Sequence, residues 1–351
     1  MYSDILTRLH YKKPNLIVLL CIGLMIAVVA NILIGGYSLP LDKILAILLA
    51  KIGLTTSIDF AQHEAGILLS IRLPRLVLGI FVGAALGISG AVLQALFRNP
   101  LAEPGLIGVS SGAALFAVGY IVMGAGFAVS FMLPLIAFIG GICATLLIYA
   151  LSRNAVGDKV GSMLLIGIAI NAISLAGIGF FQFISDDTQL RLVTFWMMGG
   201  LGSATWKSIL PTLLFIMIGL FALLRCAVPL NAYLLGVAEA GHLGIDTKKL
   251  TKIIILCVAL IVGSAVAVSG IISFVGLIVP HVVRQFSGPD HRIVIPASAL
   301  LGAIFTLIAD LVARTVVIPA ELPIGLVCSA VGGPFFLWLL LEKNRGAGYG
   351  L

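Results

Sequence analysis

Residues 98–113 read RNPLAEPGLIGVSSGA, and they lie between two of the most apolar stretches of the chain. Arg98, Asn99, Pro100, Glu103 and Pro104 interrupt hydrophobic runs that would otherwise merge. The stretch also holds Gly108-Val109-Ser110-Ser111-Gly112, which matches the nucleophile-elbow pattern GxSxG. An elbow needs a strand before its serine, a helix after it, and an acid and a histidine within reach. Here both flanks are apolar and helical in length, and a chain with 40 glycines produces such matches by chance. The alternative is a turn between two membrane-spanning helices. Pro100 and Pro104 then end one helix and start the next, where a missing N–H does little harm. Glu103 falls at the new helix N-terminus, which favours a negative charge. Gly108, Ser110 and Gly112 become small packing residues of the rising span. This choice decides the fold class.

Composition makes the same choice. The chain is 61% hydrophobic and 10% charged, with a mean hydropathy of +1.21, whereas soluble domains carry about 25% charged residues. No polar segment is long enough to build a soluble lobe. One all-α transmembrane domain over residues 1–351 is expected, with a polar loop at about 229–252. The net charge of +7 does not indicate nucleic acid, because Lys and Arg sit at the ends of apolar runs rather than on a basic face. Cys21, Cys143, Cys226, Cys257 and Cys328 form no CxxC and read as packing residues. The run Leu16–Ile34 after Lys12 and Lys13 is longer than a signal-peptide core, so an uncleaved first span is expected.

Apolar runs fall near 15–36, 73–97, 105–124, 131–152, 162–184, 207–227, 253–272, 274–284, 293–314 and 324–342. The eighth is too short to cross alone. It follows Ser269-Gly270-Ile271-Ile272-Ser273, so a bent hairpin is expected, with irregular backbone buried in protein. Ten spans place both termini on one side. With that side cytoplasmic, fourteen of the 21 Lys and Arg residues are inside, as the positive-inside rule favours. Gly79, Gly83 and Gly87 recur every fourth residue and give one smooth face for close helix approach.

Several patterns bear on chemistry. His63-Glu64 begins like HExxH, but no second histidine follows and the five histidines are scattered, so no metal site and no catalytic residue is expected. No phosphate-binding GxxxxGK[ST] occurs, so any ATP is hydrolysed on another polypeptide. The loop Pro229–Lys252 suggests two short helices joined by a turn, either a plain connector or a docking element. Arg72, Arg75 and Arg314 gather on the outer side. They are explained by an i,i+4 pair of Arg314 with Asp310 and by snorkelling, or by a positive rim that captures an acidic partner. The segment Ser185–Trp206 mixes charge, glycine and aromatics. Trp196 and Trp206 fit interface anchors, and Arg191 suits an anionic substrate on entry. An ion-coupled secondary transporter would want an ionisable group at mid-membrane, and Asp310 near an outer end beside Arg314 does not supply one.

Arg72-Leu73-Pro74-Arg75, Ser89-Gly90-Ala91-Val92-Leu93-Gln94 and Arg98-Asn99-Pro100-Leu101-Ala102-Glu103-Pro104-Gly105 closely resemble the FecCD family. The likeness continues through Phe274-Val275-Gly276-Leu277-Ile278-Val279-Pro280-His281 and Ala320-Glu321-Leu322-Pro323-Ile324-Gly325. That family comprises permeases of type II ABC importers for iron-siderophores, haem and cobalamin. The resemblance implies a BtuC-like permease fold of ten transmembrane helices in the bacterial inner membrane. It implies a homodimer whose pathway lies on the two-fold axis, lined by the fifth and tenth spans, with a periplasmic binding protein outside and two ATPase subunits inside that hold ATP and Mg. By position, Arg72, Arg75 and Arg314 match the residues that dock the binding protein. Ala238, Glu239, Ala240, Gly241, His242, Leu243 and Gly244 match the ATPase-coupling segment. Val160, Gly161 and Ser162 match the cytoplasmic gate, where Gly161 departs from the family's usual Ser or Thr. The segment Thr194–Trp206 looks more like haem permeases, with ferric siderophore and then cobalamin as alternatives. Asn171, Ser174 and Arg191 are the expected pathway residues, beside the small Gly167 and Gly177.

Overall fold

A computed structural model describes residues 13–54, 58–123, 129–153 and 159–347, and every regular element among them is helical. In chain order the helices are α1 (Lys13–Leu33), α2 (Leu41–Lys51), α3 (Gln62–Leu96), α4 (Val109–Val122) and α5 (Val129–Arg153). There follow α6 (Lys159–Ile184), α7 (Asp187–Met198), α8 (Trp206–Leu224), α9 (Ala227–Tyr233) and α10 (Val237–His242). The last four are α11 (Thr247–Ser269), α12 (Val275–Ser287), α13 (His291–Ala313) and α14 (Ile324–Ala347).

Seven of these, α1, α3, α5, α6, α8, α11 and α13, are long and apolar enough to cross a membrane. The shorter apolar α4, the apolar part Ile324–Leu339 of α14 and the 13-residue α12 bring the described helices into approximate agreement with the expected ten. The expected break is present. Helix α11 stops at Ser269, the chain passes through Gly270 (φ 67°), and Phe274 takes a left-handed φ of 67° before α12 begins. With 13 residues, α12 rises about 20 Å and cannot span ~30 Å of hydrocarbon alone. The molecule is a multi-pass membrane protein.

Helix α3 is the axis of the bundle: 83% of its apolar window is buried, against 17% for α6. The glycine face read from the sequence packs on α13. A β-carbon on Gly83 or Gly87 would overlap the backbone of Gly302 or Ser298, so the two backbones meet directly. One short helix was not foreseen. Helix α2 is too short to span, yet Ile44 and Ile47 pack with Leu39 and Leu68 into a separate apolar cluster.

The stretch 98–113 is a turn, but not a simple one. Pro104–Ile107 form one 3-10 turn, Gly108 is left-handed (φ 78°), and α4 begins only at Val109. Glu103 therefore precedes the 3-10 turn rather than a helix, and its carboxylate caps nothing. This corrects the expectation of a dipole-stabilised Glu103; burial pushes its carboxyl pKa up instead. The expected packing role of Gly112 holds, for α5 lies against it at Gly140 and Ala144. Ser111 donates to Asn171 Oδ1 at 2.5 Å.

Candidate functional site

Helices α2 and α7 lie at one end of the bundle, and α9 and α10 at the other, because α8 runs between them. By the charge bias of the sequence, the α7 end is the one expected to face outside.

At that end the three arginines do not form an open rim; all are at least nine-tenths buried. The sequence had pointed them outward. Their side chains instead meet acceptors left by helix ends within the chain. Arg75 donates Nε (3.0 Å) and Nη2 (2.9 Å) to Asp310 Oδ1. Its Nη1 donates to Glu321 Oε2 at 2.8 Å. Arg314 Nη2 donates to Asn31 Oδ1 at 2.7 Å, and its Nε lies 3.5 Å from Asp310 Oδ2, which is the i,i+4 pair expected from spacing. Arg72 donates to the carbonyls of Ile32, in the last turn of α1, and of Tyr37, just beyond that helix. The cluster thus ties α1, α3 and α13 together. The sequence paired Asp310 with Arg314 and not with Arg75, and Asn31 and Glu321 carried no assigned role. Their separation in the chain hides the pairing.

The two carboxylates differ in setting. The Asp310 side chain is 3% exposed and that of Glu321 51%. Exposed ion pairs contribute about 0–1 kcal/mol. Glu321→Gln is therefore expected to leave thermal stability in detergent within about 1 kcal/mol of the parent.

At the opposite end, Ala238 to Gly244 form α10 and its exit. Ala240 is fully buried and anchors the segment. Ala238, Glu239, Gly241, His242, Leu243 and Gly244 are exposed, with Leu235 and Val237 adding exposed apolar surface. The two short helices expected from composition are α9 and α10. Sequence spacing did not reveal how they are fixed. Asn231 of α9 donates Nδ2 to Asp290 Oδ1 and accepts from the N–H of His291, each at 2.8 Å. That amide joins α9 to the start of α13. Nearby, Arg284 on α12 donates to Gln94 Oε1, and Gln94 Nε2 donates to the Gly276 carbonyl at 3.1 Å.

Gly161 and Ser162 lie half-buried in the first turn of α6. The side chain of Val160 lies outside the described residues. Asn171 and Ser174, expected to line a pathway, face the chain's own interior. Asn171 Nδ2 donates to the Gly105 carbonyl at 3.1 Å, and Ser174 is 3% exposed. The smallness of Gly167 serves the same contact, since a β-carbon there would overlap the Leu106 carbonyl. The open side of α6 is apolar instead: Leu165, Ile168, Ile173, Leu175, Phe180 and Phe183. Arg191 is exposed on α7. Helix α7 has a complete capping box, with Asp186 and Gln189 satisfying each other's backbone N–H.

The sequence profile of the FecCD transport family matches residues 23–342. The hemin transport system permease protein HmuU of Yersinia pestis is 45% identical over 300 residues, covering 83% of this chain and 87% of that protein. The vitamin B12 import system permease protein BtuC of Vibrio vulnificus is 36% identical over 300 residues, covering 86% and 90%. A solved structure titled as a metal-chelate type ABC transporter in an inward-facing conformation superposes with a TM-score of 0.81 at 30% identity, covering 94% and 99%.

Proposed function

We propose that this chain, which belongs to the FecCD transport family, carries haem across the bacterial inner membrane. It is a permease subunit of a type II ABC importer, and ATP hydrolysis lies in a separate subunit. The observation that favours haem is the 45% identity with a hemin permease, against 36% and 40% with cobalamin permeases. The mix of aromatics and small residues in Thr194–Trp206 suits a large, flat, mostly apolar cargo.

In this reading two copies pair through the apolar sides of α6 and α14, where Leu326, Val331, Leu337 and Trp338 are also exposed. Both chain ends face the cytoplasm. Two ATPases, carrying ATP and Mg, seat against Ala238–Gly244, and Val160, Gly161 and Ser162 gate the exit. A periplasmic binding protein docks at the arginine end. Arg72 and Arg314 hold the local frame for that contact, and Arg75 offers the edge that exposed Glu321 now occupies. Asn171 and Ser174 shape the pathway by fixing α6 to the 3-10 turn rather than by touching cargo.

The test is ATP turnover of the reconstituted complex in proteoliposomes, with the cognate binding protein loaded with haemin or with cyanocobalamin. Haemin-loaded protein is expected to accelerate turnover and to deliver haemin to the lumen. Stimulation by cyanocobalamin and not by haemin would overturn the haem assignment in favour of the cobalamin reading.

A further inference from the structure

We infer that the α7 end carries an entry subsite for one edge of a flat, carboxylate-bearing macrocycle, with Arg191 as the anion contact and Phe195 and Trp196 as the stacking wall. This rests on the haem reading above and adds to the anion contact expected at Arg191 the cavity and the stacking wall beside it. A cavity of about 270 Å³ opens there. Leu192, Phe195 and Trp196 of α7 form one side, Gly200 and the α11 end at Ser269 and Gly270 another. Its volume falls just below the ~300–1,000 Å³ of sites that enclose a small molecule. It therefore takes an edge of a ring system and leaves the rest exposed.

Helical spacing sets the polar contact. Arg191 lies four residues before Phe195, so the guanidinium and the ring share a face of α7. Phe195 is 60% exposed although it lines the cavity, so its ring has a face free for stacking. Among the described residues no hydrogen bond or ion pair engages Arg191. Asp187, one turn earlier and also exposed, makes none with it. In this respect Arg191 differs from Arg72, Arg75 and Arg314, each of which donates hydrogen bonds within the chain.

An iron porphyrin matches this chemistry: its ring is flat and apolar, and its two carboxylates project from one edge. A corrinoid does not, because its rim carries carboxamides, which gain little from an unpaired cation. The backbone around the floor is specialised as well. Gly200 N–H donates to the Ser269 carbonyl at 2.8 Å, so the cavity abuts the break between α11 and α12.

The experiment uses the full chain in phosphatidylcholine nanodiscs, titrated with haemin, haemin dimethyl ester and cyanocobalamin. It reads tryptophan quenching and the haem absorption band above protein-free discs. Arg191→Gln is expected to weaken haemin about fivefold. The ester, lacking carboxylates, is expected to bind the parent as weakly and to ignore that substitution. Phe195→Ala is expected to weaken haemin and ester alike. Haemin affinity unchanged in both variants would overturn the subsite while leaving the haem reading standing. Parent protein that binds cyanocobalamin but not haemin would overturn both.

Discussion

Asp310→Ala is expected to destabilise the folded chain by about 3–5 kcal/mol, the usual cost of removing one partner from a buried ion pair. Asp310 is 2% exposed and accepts from Arg75 through both oxygens, while Arg314 Nε lies 3.5 Å away. Alanine would leave two cations close together in a site with little water. Arg75 would keep only the bonds to exposed Glu321, and Arg314 only Asn31. The measurement is the thermal midpoint in detergent, read beside Glu321→Gln. A large loss at Asp310 and a small one at Glu321 follow from their difference in burial. Pairing Asp310→Ala with Arg75→Met should restore part of the loss, because one stranded charge is then gone. Equal, small effects at both carboxylates would mean that the cluster is wet and contributes little.

The fold was legible where the signal was local. Ten apolar runs, two prolines around Glu103 and a Ser-Gly break after residue 268 needed only composition and spacing. The glycine repeat of α3 predicted a close backbone contact, and one exists. Its partner could not be read, since Gly302 lies more than two hundred residues away and stands out in no local pattern. Helix α2 was overlooked for a related reason. An 11-residue apolar segment gives too weak a signal to separate a short surface helix from a span end.

Site residues were harder to read because a charge reveals its partner only in three dimensions. Arg72, Arg75 and Arg314 looked like an outward rim, and helix packing turned all three toward carbonyls and carboxylates inside the bundle. Asn171 looked like a pathway residue, yet its amide adds a second donor to the Gly105 carbonyl and fixes α6 to the 3-10 turn. Arg191 looked like a contact for an anionic substrate, and it lies exposed on α7. In each case a polar group in an apolar chain goes to the nearest unsatisfied partner. Only where no such partner exists does the group stay available to a ligand.

Among the described glycines, Gly90→Ala should be the most damaging alanine substitution. A β-carbon at Gly90 would overlap the Gly276 carbonyl, so α3 and α12 cannot both keep their places. Neither side can yield cheaply. Gly276 itself lies 3.1 Å, measured from an added β-carbon, from the Leu86 carbonyl and from Pro104 Cδ. Its own carbonyl also accepts from Gln94. Overpacking with flexible side chains costs about 1–3 kcal/mol. Here the obstacle is backbone, so the cost is expected at or above the top of that range. The same shift would separate Gln94 from Arg284 and the Gly276 carbonyl, loosening the end of α12 nearest α13. The control is Gly66→Ala in the first turns of α3, where nothing lies within 4 Å of an added β-carbon. Yield of monodisperse protein and thermal midpoint should fall sharply for the first and stay unchanged for the second. A Gly90→Ala protein as stable as the control would mean that α3 and α12 are not in contact at this point.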